Sequence, residues 1–322
     1  MQKIVISEWV PEECIAPYRK DFDFDVPSQE KHAYSYEELL TRAPEADGIL
    51  ILDNTGDKKL MDAAVKLKVI ANFGVGYDNI DWKYATQIGL PVINTPTQVT
   101  EATAEHAAAL IASVMRSIAK YDRDVRAGIW ESPNFADVNT QIEGSTLAIL
   151  GFGRIGKRVC RKMQGFGMNV IYYDKFRASE DIEKEFGVKY VSFDDALKEA
   201  DCISLHMPYL PENHHLFGKE TFAKMKKTAY FVNCARGKIV DEQALADALK
   251  SGEIKGAGLD VFEDEPNVNP DLLKLSNVTL TPHIASLTMK ARVGMCNEAL
   301  SGITGVLRGE KPYNVVNKEV LK

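Results

Sequence analysis

Gly151-Phe152-Gly153-Arg154-Ile155-Gly156 is the segment that most narrows what this chain can fold into. It follows an apolar run, Leu147-Ala148-Ile149-Leu150, and opens a stretch of helical character, Lys157 to Met163, that stops at Gly165-Phe166-Gly167. Strand, tight turn and helix in that order let a backbone approach a pyrophosphate at a helix N-terminus, so Gly151, Gly153 and Gly156 predict a dinucleotide-binding βαβ unit. Outside that context the same glycines would read as a structural turn. A second apolar run, Met168 to Tyr173, ends in Asp174, near the spacing of about 20 residues at which an acidic side chain meets the adenosine ribose. A carboxylate there accepts from the 2′-hydroxyl of NAD and repels the 2′-phosphate of NADP, so NAD is the expected cofactor, with Lys175 and Arg177 the neighbours that would relax the preference.

The rest of the chain alternates short apolar runs with amphipathic stretches, which predicts α/β domains built on parallel sheets. Ile4-Val5-Ile6, Gly48 to Leu52 and Lys68 to Ala71 read as buried strands, Tyr36 to Ala43 and Lys58 to Leu67 as helices, and Pro91 to Pro96 as a short closing strand. A longer helix starts at Thr100 and runs at least to Ala112. From Thr146 six strands are expected: Thr146 to Leu150, Asn169 to Tyr173, Cys202 to His206, Ala229 to Cys234, Gly256 to Val261 and Val278 to Thr281. Six such runs suit one doubly wound sheet. The 322 residues suffice for two domains. A net charge of −7 argues against polyanion binding by the surface, so neither nucleic acid nor an anionic membrane is an expected partner. No uncharged apolar run approaches a membrane span, and five scattered cysteines without a C-x-x-C pair suit reduced thiols in the cytoplasm. No metal is expected: His214-His215, lacking further ligands nearby, reads as a solvated helix start.

Three side chains near predicted strand ends suggest a reacting group. Arg236 lies just past Ala229 to Cys234, His283 follows Asn277 to Leu280, and Glu265 follows Gly256 to Val261. A guanidinium can hold a carboxylate bidentately, an imidazole can give a proton near neutral pH, and a carboxylate beside that imidazole would favour its charged form. Hydride transfer to a 2-oxo acid needs those roles. Taken singly, Arg236 also fits a surface ion pair, His283 a buried hydrogen-bonded residue, and Glu265 a loop carboxylate among acidic neighbours.

Together with the glycine loop, Asn72-Phe73-Gly74-Val75-Gly76-Tyr77-Asp78-Asn79-Ile80-Asp81, Asn233-Cys234-Ala235-Arg236-Gly237, Gly258 to Phe262 through Glu265-Pro266, and Thr281-Pro282-His283-Ile284-Ala285 resemble, in order and spacing, the signatures of the D-isomer specific 2-hydroxyacid dehydrogenase family. That resemblance implies two doubly wound parallel-sheet domains with the active site in the cleft between them. Residues 99–286 would form a Rossmann NAD-binding domain, and 1–98 with 287–322 a discontinuous, flavodoxin-like substrate-binding domain. It also implies that Arg236, Glu265 and His283 are catalytic, Arg236 and His283 touching both cofactor and substrate, and that the backbone of Val75 and Gly76 meets the substrate carboxylate. Arg154 and Ile155 would contact the pyrophosphate. Met207, Pro208 and Asn213 would line the ribose, Cys234 and Ala235 would lie beside the nicotinamide, and Asp260 would hold its carboxamide.

The chain departs from the family where a threonine-bearing turn is common: it reads Met207-Pro208-Tyr209-Leu210-Pro211-Glu212-Asn213, which weakens the carry-over to Asn213. Ala127 to Pro133, containing Trp130, resembles the family's dimerising arm, so a homodimer is expected. The implied activity is NAD-dependent reduction of a small 2-oxo acid such as glyoxylate or hydroxypyruvate to the (R)-2-hydroxy acid. A reductase of larger 2-oxo acids, a 3-phosphoglycerate dehydrogenase and an NAD-sensing corepressor-like protein are the alternatives.

Overall fold

Ile4, Val5 and Ile6 are all buried because the strand that carries them has packed layers on both faces. The computed structural model describes residues 1–130 and 138–321. Tertiary contacts divide the chain into Met1–Val99 with Leu287–Lys322, and Thr100–Ser286. The first unit holds a five-stranded parallel sheet of β1 (Gln2–Ile6), β2 (Phe22–Asp25), β3 (Gly48–Ile51), β4 (Val69–Asn72) and β5 (Val92–Ile93), in the order β2-β1-β3-β4-β5. That is the doubly wound order typified by flavodoxin. Ile4 and Ile6 face one core with Met295, Ala299 and Ile303 of the helix Met289–Leu307, while Val5 faces the other with Leu39, Ile49 and Leu60.

The second unit holds seven parallel strands: β6 (Thr146–Leu150), β7 (Asn169–Tyr173), β8 (Lys189–Tyr190), β9 (Cys202–Leu205), β10 (Tyr230–Asn233), β11 (Gly256–Leu259) and β12 (Val278–Leu280). Their order, β12-β11-β10-β9-β6-β7-β8, contains the Rossmann pattern with the chain reversing at β6. Leu147 and Ile149 pack against Ala107, Leu110, Ile111 and Val114 of the helix Thr100–Met115, and Ala148 and Leu150 against the opposite core.

Five local expectations need correction. The seventh strand, β8, escapes a reading by apolar runs because it is two residues long and half polar. β2 escapes it because Phe22-Asp23-Phe24-Asp25 alternates aromatics with acids at a sheet edge. The helix after Asp57 stops at Ala63, where Ala64 leaves helical geometry, and a helix not foreseen, Trp82–Gln87, starts where the Asp81 side chain accepts from the Tyr84 N–H. His214 and His215 start no helix: the next one begins at Lys219. Trp130 is 85% exposed, and the rest of the expected arm, residues 131–133, lies outside the described residues.

Glu8, just past β1, shows how burial is tolerated at a cost. Burial and the nearby Asp53 push its carboxyl up to about 7, with the Arg292 charge acting against them. The folded chain therefore holds a proton that the unfolded chain releases around the ordinary 4.5, so stability declines as pH rises through that interval. Glu8→Gln should remove this dependence, raising Tm by about 2–6 °C at pH 8 and little at pH 5. Calorimetric scans at the two pH values check it; an equal change at both would refute it.

Candidate active site

Arg236, Glu265 and His283 follow the C-terminal ends of β10, β11 and β12, three neighbouring strands of one parallel sheet. Ligand crevices of doubly wound folds open at that edge. What draws the first two loops together is Gly237. A Cβ there would stand 1.9 Å from the carbonyl carbon of Phe262, so only glycine lets the turn after Arg236 lie on the backbone leading to Glu265. Asn233 shapes the same turn, its Oδ1 accepting from the Ala235 N–H at 2.9 Å and its Nδ2 donating to the Arg236 carbonyl at 2.9 Å.

His283 Nδ1 donates to Glu265 Oε2 at 2.7 Å, and Glu265 Oε1 accepts from the Phe262 N–H at 2.9 Å. Burial works to raise the Glu265 carboxyl, but the bonds from His283 and Phe262, helped by the charges of His283 and Arg236, hold it below the usual carboxylate range. With Nδ1 committed to the carboxylate, Nε2 is the ring atom left for a reacting proton, and the side chain remains 51% exposed. The His283 backbone sits at φ +53°, left-handed and strained for a residue with a Cβ.

Asp260 holds that strained turn. Its carbonyl accepts from the His283 N–H at 2.8 Å, and its carboxylate accepts from the Ile284 and Ala285 N–H groups, both at 2.9 Å, and from the Thr281 hydroxyl at 2.6 Å. His106 Nε2 lies 3.0 Å from the Thr281 hydroxyl and 3.3 Å from Asp260 Oδ1. Burial alone would raise the Asp260 carboxyl, and these donors bring it below its ordinary value. This anchoring role was missed from sequence, although a lone acid closing the apolar run Gly256 to Leu259 was its signal.

The nucleotide end is built around the helix Arg154–Gln164, which no side chain caps at Gly153. Gly151 adopts φ +99°, and a Cβ on it would press within 2.6 Å of the His206 backbone; a Cβ on Gly156 would meet the Gly151 carbonyl at 2.2 Å. At Gly153 nothing lies within 4 Å of where a Cβ would stand, the space a pyrophosphate needs beside the helix that Arg154 and Ile155 begin. These residues fit a dinucleotide. Asp174 Oδ2 accepts from the Phe152 N–H at 2.8 Å and Oδ1 from the Phe176 N–H at 3.0 Å, tying the end of β7 to the glycine turn. Arg177 donates through Nε and Nη2 to both oxygens of Glu183, at 2.8 and 2.9 Å.

Beyond β9, Asn213 folds its own loop, Nδ2 donating to the Pro208 carbonyl and Oδ1 accepting from the Leu210 N–H; Met207 packs against the core. Cys234 and Ala235 are buried, and burial raises the Cys234 thiol far above its ordinary value, so it is a neutral packing residue. His206 is held neutral as well, burial lowering it to about 3, with Nε2 2.9 Å from the Ser204 hydroxyl. In the first unit, Asn72 Nδ2 donates to the Gly76 carbonyl and Asn94 Nδ2 to the Val75 carbonyl. Among the described residues no acceptor takes the N–H groups of Val75 or Gly76, which stay available for an anion.

Residues 108–285 match the NAD binding domain of the D-isomer specific 2-hydroxyacid dehydrogenases. The chain belongs to that family. This D-isomer specific 2-hydroxyacid dehydrogenase is 42% identical over 325 residues to a glyoxylate reductase of Korarchaeum cryptofilum (strain OPF8), covering 99% of this chain and 97% of the relative. A crystal structure of a glyoxylate reductase from Paecilomyes thermophila superposes with a TM-score of 0.86 at 30% identity, covering 99% of both chains. The TT0316 protein of Thermus thermophilus gives a TM-score of 0.88 at 34% identity, covering 98% of this chain and all of that one. Family membership makes the protein an oxidoreductase of the CH–OH group of 2-hydroxy acids that uses a nicotinamide dinucleotide. No helix of the described residues is long and apolar enough to cross a membrane.

Proposed function

We propose that this dehydrogenase reduces a small 2-oxo acid of the glyoxylate or hydroxypyruvate class to the (R)-2-hydroxy acid with NADH. The observation that carries the reading is the His283–Glu265 pair, at 2.7 Å, standing at the same sheet edge as Arg236. Arg236 grips the substrate carboxylate and polarises the adjacent carbonyl, with the Val75 and Gly76 N–H groups as further donors to the carboxylate. His283 gives its Nε2 proton to the carbonyl oxygen. Glu265 orients the ring and offsets its positive charge. The dinucleotide, when bound, supplies the hydride. Asp260 holds the His283 turn and is the candidate partner of the carboxamide; Cys234 and Ala235 flank the nicotinamide, and Met207, Pro208 and Asn213 line the ribose.

Glyoxylate is preferred to larger 2-oxo acids and 3-phosphohydroxypyruvate because the curated relative with 42% identity is a glyoxylate reductase. A homodimer is favoured by the exposure of Ile118, Val125, Ile129 and Trp130, at 57%, 55%, 46% and 85%, an apolar series along and just after one helix. Buried free cysteines at all five positions suit a reducing cytoplasm.

NAD is favoured over NADP because Asp174 is pinned at the end of β7 while Glu183 engages Arg177. Rates of NADH and NADPH oxidation with glyoxylate, hydroxypyruvate, pyruvate, branched 2-oxo acids and 3-phosphohydroxypyruvate test the whole reading. Glyoxylate or hydroxypyruvate with NADH should give the highest kcat/KM. Asp174→Ala should shift the NADH-to-NADPH ratio towards NADPH by about 10-fold to 10²-fold, and adding Glu183→Gln, which loosens Arg177, should shift it further. Turnover with none of these acids would support a cofactor-sensing protein instead. A wild type that prefers NADPH would overturn the cofactor choice.

A further inference from the structure

The reduction leaves one polar cluster of the second unit unused. His214 and His215 follow the short turn Pro211–Asn213, and their imidazoles stack with centroids 3.9 Å apart and planes at 20°. His215 adopts φ +52°, the left-handed region that a side chain disfavours, and in doing so brings its Nε2 to 2.8 Å from Glu263 Oε1. Donor atoms of His214, His215 and Glu263 all lie within 4.8 Å of one another. His215 and Glu263 rest on fixed backbone. The His215 N–H donates to the Lys238 carbonyl at 3.0 Å, the Phe217 N–H to the Ile239 carbonyl at 3.0 Å, and the Glu263 N–H to Glu242 Oε1 at 2.7 Å.

Two imidazoles and one carboxylate form a borderline ligand set. It suits zinc, cobalt or nickel, whereas magnesium and calcium call for oxygen donors. Ligand bonds of about 2.0–2.2 Å space tetrahedral donors roughly 3.5 Å apart, so the His215–Glu263 contact opens while donors farther apart close in by up to roughly an ångström, which the partly exposed side chains permit, and a water would complete a tetrahedron. We propose that His214, His215 and Glu263 form an inhibitory site for a divalent transition-metal ion of the zinc class. Coordination replaces the His215–Glu263 hydrogen bond, the ring proton passing to Nδ1. The ion then links the segment entering at His215, which is tied to the turn after Arg236, with the loop that carries Glu265 two residues beyond Glu263. Parting Glu263 from His215 to admit the ion shifts the loop that also carries Glu265, displaces Glu265 from His283 and slows turnover.

The inhibitory effect rests on the catalytic roles given above; metal binding does not, and it is measured first. Metal-free protein titrated with Co²⁺ should develop the visible absorption of a tetrahedral site with one equivalent bound, and Zn²⁺ should displace it. His214→Ala and Glu263→Gln should each weaken Co²⁺ affinity at least about 10-fold. His32→Ala, a histidine of the other unit, should leave it unchanged. Zn²⁺ should then lower kcat of the wild type, reversibly with EDTA, and not of His214→Ala. Absence of a stoichiometric Co²⁺ band, or unchanged affinity in either the His214 or the Glu263 variant, would overturn the site. Zn²⁺ inhibition undiminished in His214→Ala would overturn its inhibitory role.

Discussion

His283→Ala is expected to lower kcat for 2-oxo acid reduction by about 10²–10⁴-fold, the range over which positioned general acids act. The carbonyl oxygen gains negative charge as hydride arrives at carbon, and without a donor it must take its proton from water. The geometry commits Nδ1 to Glu265 at 2.7 Å, so the loss falls on Nε2 donation and should appear in kcat far more than in KM. Glu265→Gln keeps an acceptor for Nδ1 while removing the charge that stabilises the imidazolium, so its loss should be smaller, about 10-fold to 10²-fold. Steady-state NADH oxidation with the preferred 2-oxo acid measures both. A His283→Ala enzyme with wild-type kcat would remove His283 from the reaction, and a Glu265→Gln loss exceeding that of His283→Ala would reverse the order of dependence.

How these residues meet was only partly legible in the sequence. Periodicity found the interior strands of both sheets, because burial on both faces leaves a largely apolar signature. It failed at β2 and β8, edge strands with one open side, where polar residues are tolerated. The glycine turn was readable because its chemistry is local: Gly151 and Gly156 are needed by close backbone contacts within one βαβ unit and with the end of the neighbouring strand β9, and Gly153 leaves open the space beside the helix start. Arg236, Glu265 and His283 stood out only as functional side chains just past strand ends, each with an ordinary structural reading, and family resemblance assigned their roles. What places them is non-local. Gly237 packs on Phe262, Asp260 reaches four donors in the turn 281–285, and His106 supports it from a helix 175 positions away from Thr281. Spacing along a chain cannot report such contacts. The third partner of His214 and His215 was invisible for the same reason, since Glu263 comes from a loop 48 positions from His215.

Arg236→Ala should lower kcat/KM by about 10³-fold, since two charge-assisted hydrogen bonds to a carboxylate are lost together. Ground-state binding depends on those bonds, so KM should rise as kcat falls, unlike the result at His283. Arg236→Lys should recover only part of the loss, because an ammonium offers a point charge where a planar fork is needed. Added guanidinium should partly rescue the alanine variant and leave the wild type unaffected. A second consequence separates Arg236 from a simple substrate anchor. Its charge helps keep the Glu265 carboxyl ionised, so removing it weakens the support that Glu265 gives to His283. Arg236→Ala and Glu265→Gln should therefore combine to less than the product of their separate losses, as expected for residues that act on one group. Strictly multiplicative losses would mean that the two act independently. A wild-type KM in Arg236→Ala would mean that the carboxylate is held elsewhere.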